Sequence, residues 1–319
     1  MSLLSMHIRA GMLILMIILI RRLFLHNLSK GALKSMWAIV LLRLFLPFSR
    51  NVVAGFSLPF DKPFAFPFIN GAPVSSSQQS AVFSDQSLSL PVIAFYLAVC
   101  LIMVSYFIAG HIRCRKIYRY AYPAMADAVL KWKRKNGLRR NLRVLQCPDI
   151  SSALTYGVIH PVILIPANMD FRDERQLLLV MSHELEHVKR FDILWKWGSA
   201  LALCLYWYNP LVWAMYILMN RDIELSCDER VLKGHGFNGR LKRDYALTLI
   251  ALAEAKKGRL PLAAHFGGNA VEERIVSIMR GSNAAVFSFI ALGGVALLAL
   301  LSFAVFLTGD SGAVIIKLL

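Results

Sequence analysis

Apolar residues gather into long runs towards both ends of the chain, and the middle breaks them up with charge. The first run, about Leu3 to Ile20, ends at Arg21-Arg22. No basic stretch precedes it and no A-x-A site follows it. It therefore reads as an uncleaved span with its N-terminus outside, rather than as a signal peptide. A second run, about Leu33 to Pro47, is short and contains Arg43. That predicts a tilted or packed span with Arg43 turned to protein or to the interface. Residues 50–90 are rich in Pro, Phe, Ser and Gln, with little charge, and predict an irregular exported loop. Pro91 to about Gly110 predicts a third span, and His111, Arg113, Arg115, Lys116 and Arg119 follow at once, a cytoplasmic signal. The last run, about Ala285 to Leu307, predicts a fourth span and leaves residues 308–319 outside.

Between the spans, residues 111–284 form a basic region of mixed pattern. The charge run at 131–143 (KWKRKNGLRRNLR) predicts a solvated or headgroup-facing helix and turn rather than a nucleic-acid site. Two β-like stretches follow, Leu142 to Gln146 and Val158 to Ile165, bounded by Pro148, Gly157 and Pro166. A second apolar stretch, Gly198 to Met219, is interrupted at Tyr206-Trp207-Tyr208-Asn209-Pro210.

Composition favours the membrane reading. The chain is 57% hydrophobic with a mean hydropathy of +0.55, and only 17% of its residues are charged; ordinary soluble domains carry roughly 25%. A net charge of +17 would suit nucleic acid, but Lys and Arg also accumulate in cytoplasmic loops and on surfaces facing anionic lipid. Direct nucleic-acid binding is not expected. The 5 Cys are scattered, without a C-x-x-C pair, so a disulfide framework is not expected either.

The chemistry concentrates in His183-Glu184-Leu185-Glu186-His187. On a helix, positions i and i+4 share a face, so both imidazoles point the same way and can chelate Zn²⁺. Glu184 is spaced to take a proton from water at such a metal. The apolar residues upstream, Leu177 to Met181, predict a buried helix. Beyond the hairpin stretch, Glu224 and Asp228 are again four apart. Glu224 can complete a His₂Glu site, and Asp228 can accept the second N–H of a ligand histidine. Ligands on both sides of residues 198–219 must share one side of the membrane. That stretch is therefore expected to be a re-entrant hairpin, or an in-plane helix pair turning at Asn209-Pro210. His235 and Tyr245 read as a turn histidine and a helix-packing tyrosine.

HELEHVKRFD followed by ELSCDERVL resembles the BlaR/MecR family of integral-membrane zinc metallopeptidases. The resemblance implies His183, His187 and Glu224 as zinc ligands, Glu184 as general base and acid, and Asp228 behind the ligands. Asp192 and Cys227 also fit its pattern, as a capping or orienting residue and a packed one. Family members that sense β-lactams carry an extracellular penicillin-binding domain. No S-x-x-K or K-T-G follows the last span here, so that domain is not expected in these residues. The expected fold is a mainly α integral membrane protein of four transmembrane helices and a hairpin at 198–219, with a cytosolic gluzincin-like zinc protease region containing a small β-sheet. It would lie multi-pass in a bacterial cell membrane with both termini outside. The expected function is endoproteolysis of the chain itself or of a cytosolic regulator, such as a transcriptional repressor, in response to an external signal. A substrate strand would lie along the 158–165 edge. A housekeeping membrane protease and a non-catalytic transducer with a structural zinc site are the alternatives. Partners are a protein substrate and the lipid bilayer, with a homodimer left open.

Overall fold

The computed structural model describes residues 3–45, 90–136, 140–169, 173–236, 238–257, 264–280 and 288–298. The expected loop, from residue 50 to 89, and the tail at 308–319 lie outside them. Two helices open the chain, α1 (Leu3–Phe24) and α2 (Lys30–Phe45), and a long third, α3 (Leu90–Tyr118), follows the gap. A mixed segment carries β1 (Tyr122–Pro123), α4 (Asp127–Lys135), β2 (Arg143–Cys147), β3 (Leu154–Tyr156) and β4 (Val162–Pro166). Then come α5 (Glu174–Lys189), α6 (Asp192–Leu205), α7 (Pro210–Gly234), α8 (Gly239–Lys257), α9 (Ala264–Arg280) and a short apolar helix, α10 (Ser288–Leu298).

The four membrane crossings expected from sequence are not shown. Among the described residues one helix, Leu90–Lys116, is long and apolar enough to cross a membrane, with a mean hydropathy of 2.5. The other apolar runs are spent on packing. Leu13, Ile14 and Ile17 of α1 and Leu33, Met36, Trp37 and Val40 of α2 form one core with Met215, Met219 and Ile223 of α7. Helix α2 has 16 residues, about 24 Å at 1.5 Å per residue, and its Lys30, Lys34 and Arg43 are buried. An apolar helix with buried polar partners can be a core helix as well as a span. Of the last expected span, 285–307, only α10 falls among the described residues.

The sheet has the order β1-β2-β4-β3. Strands β2 and β4 run parallel, and β1 and β3 pair antiparallel on the outside. All five residues of β4 are buried, as a strand covered on both faces should be. Ile163 and Ile165 face Leu177, Met181, Leu185 and Val188 of α5, while Val162 and Leu164 pack on the opposite face with Cys147 and Ile150. The sheet thus acts as a platform that orients α5.

This arrangement corrects one expectation. Residues 158–161 precede the strand, and β4 is paired on both sides, so it offers no open edge. Of the two edge strands, β1 and β3, the one beside α5 is β3, a three-residue strand that the sequence pattern did not reveal. Gly157 has φ +85, and a Cβ there would lie 2.4 Å from the His160 carbonyl oxygen, so the reversal between β3 and β4 requires glycine.

Candidate metal centre

Helix α5 starts where Asp173 accepts the Gln176 backbone N–H at 3.0 Å, and its apolar stripe fixes its rotation against the sheet. His183, Glu184 and His187 are thereby turned into a cleft of about 960 Å³. The chain then reverses at Phe191, which adopts a left-handed conformation at φ 54. Such a conformation is unusual for a bulky residue and needs outside support. Arg140 supplies it, with its guanidinium 4.2 Å from the Phe191 ring centroid and bonds to the Val158 and Val188 carbonyls. The sharp turn sets Asp192, the first residue of α6, beside His187, with Oδ2 2.7 Å from Nδ1.

Helices α6 and α7 form a hairpin whose turn falls at Asn209-Pro210, where the Asn209 side chain caps α7 by accepting the Leu211 N–H at 2.9 Å. Helix α7 then runs unbroken to Gly234 and carries Glu224 back to the two histidines. His183 Nε2 and His187 Nε2 are 3.1 Å apart, and Glu224 Oε2 lies 3.3 and 3.6 Å from them. Lys196 Nζ donates to the other oxygen of Glu224 at 3.1 Å.

The remaining ring nitrogens are committed elsewhere. An ionised carboxylate only accepts, so His187 Nδ1 donates to Asp192. Tyr245 donates its hydroxyl to Asp228 Oδ1 at 2.7 Å and accepts from His183 Nδ1 at 2.7 Å. Asp228 Oδ1 itself lies 3.2 Å from His183 Nδ1, and Arg274 grips both Asp228 oxygens at 2.7 Å. In the neutral rings that leaves both Nε2 atoms as lone pairs converging with a carboxylate oxygen. Three such acceptors together suit a cation. Their separations suit donors about 2.1 Å from a tetrahedral zinc, which sit roughly 3.3 Å apart.

The titration behaviour has the same cause. Burial disfavours charge on both rings, but Cys227, Tyr245 and Asp228 raise His183 well above its ordinary value, and Cys227, Glu224 and Asp192 do the same for His187. Burial opposes ionisation of Glu224 too, yet Lys196 and His187 hold it well below the usual carboxylate range. Asp228 is brought down to about 2, because Arg274 outweighs its desolvation.

Cys227, buried behind α5, belongs to a second donor set. Its Sγ and one nitrogen from each of His183 and His187 lie within 4.8 Å of one another, a group that could hold a metal ion. Its thiol also donates to the His183 carbonyl at 3.2 Å.

Glu184 lines the cleft beside the histidines, and its Oε2 accepts the Thr155 hydroxyl at 2.7 Å. Thr155 sits on the open strand β3, so the sheet edge and the acidic side chain are directly joined. His235 caps the end of α7 and bonds the Val231 carbonyl at 2.9 Å. The sequence alone assigns no site role to Thr155, Lys34, Lys196 or Arg274, and gives Tyr245 only a packing role. For Tyr245 the one available signal was its position on a helix soon after the Glu224 and Asp228 pair.

A family model described as BlaR1 peptidase M56 matches residues 1–278. The regulatory protein BlaR1 of Bacillus licheniformis is 30% identical over 149 residues, 46% of this chain and 25% of that protein. The methicillin resistance mecR1 proteins of Staphylococcus aureus and Staphylococcus epidermidis are each 23% identical over 96 residues, 30% of this chain and 16% of theirs. The chain thus covers a quarter or less of the length of these curated relatives. Because the family model spans most of its residues, the site included, the chain belongs to the BlaR1 peptidase M56 family.

Proposed function

We propose that the chain is a membrane-associated, zinc-dependent endopeptidase that cleaves itself or a regulatory protein, such as a transcriptional repressor, in response to an external signal. The observation that carries this reading is the convergence of His183 Nε2, His187 Nε2 and Glu224 Oε2 within 3.1–3.6 Å, in the cleft that also holds Glu184. Glu224 is favoured over Cys227 as third ligand because it opens onto the cleft, whereas the thiol is buried and engaged with backbone. His₂Glu ligation suits zinc and leaves room for water.

When bound, zinc supplies a Lewis acid that acidifies water and polarises a carbonyl. The protein does the rest. Thr155 holds Oε2 of Glu184, leaving Oε1 to take a proton from the attacking water. The water oxygen adds to the scissile carbonyl carbon. As the C–N bond breaks, Glu184 returns the proton to the leaving amine. An extended substrate segment adds to the β3 edge, Leu154–Tyr156, which replaces the 158–165 edge of the sequence reading. Helix α3, whose C-terminal end carries Arg113, Arg115 and Lys116 with Arg119 just beyond it, supports a cleft on the cytoplasmic side.

The test is cleavage of the chain itself and of β-casein by the full-length protein in detergent, read by mass spectrometry. Glu184→Gln is expected to keep its zinc and lose cleavage by about 10²–10⁴-fold. A Glu184→Gln protein that cleaves like the wild type would overturn the mechanism.

A further inference from the structure

We propose that Lys34, on α2, is a positioning residue for His187 and couples the N-terminal helices to the metal centre; this rests on the ligand set proposed above. Asp192 is 1% exposed and divides its two oxygens. Oδ2 accepts from His187 Nδ1 at 2.7 Å, and Oδ1 accepts from Lys34 Nζ, which reaches it from a helix 158 residues earlier in the chain. Among the described residues the next ion pair to Asp192 is with Arg190, whose Nε lies 3.8 Å from the same Oδ1. Lys34 is itself buried, with its ammonium 5.4 Å from the Trp195 ring centroid, so its position is defined on both sides.

A buried ammonium is costly unless an anion meets it. Here the anion is the same group that sets the tautomer of a ligand. Without Lys34, Asp192 keeps only the distant Arg190 and turns towards it. His187 Nδ1 then follows its acceptor, and Nε2 swings away from the line to His183 and Glu224. Lys30, one turn earlier on α2, makes a useful contrast. It is buried too, but its ammonium bonds the Leu25 carbonyl and its backbone N–H bonds Glu229, neither of which is a proposed ligand.

The face of α2 that carries Lys34 also carries Trp37, whose Nε1 donates to Asp222 Oδ2 at 2.7 Å. Asp222 stands two residues before Glu224 on α7, and its other oxygen accepts from Arg21 of α1 at 2.8 Å. A shift of α2 therefore moves the acceptor of His187 and the helix of Glu224 together. The polar contacts of Lys34 and Trp37 are the route by which a change in the N-terminal helices reaches the site.

The test is zinc affinity by chelator competition, with the absorption spectrum of the Co²⁺-substituted protein, on the full chain in detergent. Lys34→Met should weaken zinc about 10–100-fold, the usual effect of losing support behind a ligand, and should alter the Co²⁺ spectrum. Lys34→Arg should regain most of the affinity. In an Asp192→Asn background Lys34→Met should add less than about twofold, because the two act in series. Lys30→Met should lower thermal stability and leave zinc affinity unchanged. If Lys34→Met does not fold, Lys34→Gln takes its place with the same expectation. A folded Lys34→Met or Lys34→Gln protein with wild-type zinc affinity and Co²⁺ spectrum would overturn this inference alone. A folded wild type that binds no zinc would overturn the ligand set, and this inference with it.

Discussion

His183 and His187 lie one helical turn apart, but different parts of the chain support them. His187 leans on Asp192, five residues on, with a single lysine behind it from α2. His183 leans on Asp228 and Tyr245, and behind these Arg274 makes two guanidinium bonds at 2.7 Å. The second arrangement draws on α7, α8 and α9 at once and locks its carboxylate with a planar fork. The first hangs on a single ammonium point charge. The difference separates a rigid arm from one that can respond. His183 is fixed by the C-terminal helices, whereas His187 is held through a contact that motion of α2 can loosen.

The largest effect should come from breaking the rigid arm. Asp228→Ala leaves Arg274 buried without its main counter-charge. It should cost about 3–5 kcal/mol in unfolding free energy, together with a 10–100-fold loss of zinc affinity. Asp192→Ala should weaken zinc by a similar factor but cost less stability, about 1–3 kcal/mol. Urea unfolding of the two variants side by side measures the difference. Equal stability losses would break the comparison.

Acid should act on the same arm. Asp228 is held at about 2 against an ordinary 3.8, so its folded form is the more acidic. Its contribution is fully present above pH 3.8 and is lost as the pH falls through about 2. It amounts to something on the order of 2 kcal/mol. With zinc-free protein, the stability gap between wild type and Asp228→Asn should narrow between pH 5 and pH 2.5. A gap that does not change with pH would remove Arg274 from the account.

The smallest effect concerns neither arm. Thr155→Val removes the hydroxyl that holds Glu184, a bond to an ion worth about 1.5 kcal/mol. It should lower kcat about tenfold, with zinc affinity unchanged. Loss of zinc instead would mean that Thr155 supports the ligands rather than Glu184.

The sequence made the local half of this site legible. The i, i+4 spacing of His183 and His187 and of Glu224 and Asp228 defines helical faces directly, and the break at Asn209-Pro210 marks the turn between α6 and α7. What stayed hidden is contributed from a distance. Lys34 meets Asp192 across 158 residues, Arg274 meets Asp228 across 46, and Thr155 meets Glu184 across 29. No periodicity records such contacts. The same limit explains the overcounted membrane crossings. The apolar run of α2 reads as a span, but its Val40 and Trp37 pack into a protein core and its Lys34 turns inward to a carboxylate. Strand β3, with three residues, is too short to show alternation, so the open edge was assigned to the longer apolar run at β4.

The most direct test of the central claim, that His183, His187 and Glu224 hold zinc, is metal content per chain. It should be measured in detergent for wild type, Glu224→Ala and Cys227→Ser together. Zinc near one per chain is expected in wild type and Cys227→Ser, with its loss or marked weakening in Glu224→Ala. Equal zinc in wild type and Glu224→Ala, with loss in Cys227→Ser, would contradict it and make the buried thiol the third ligand.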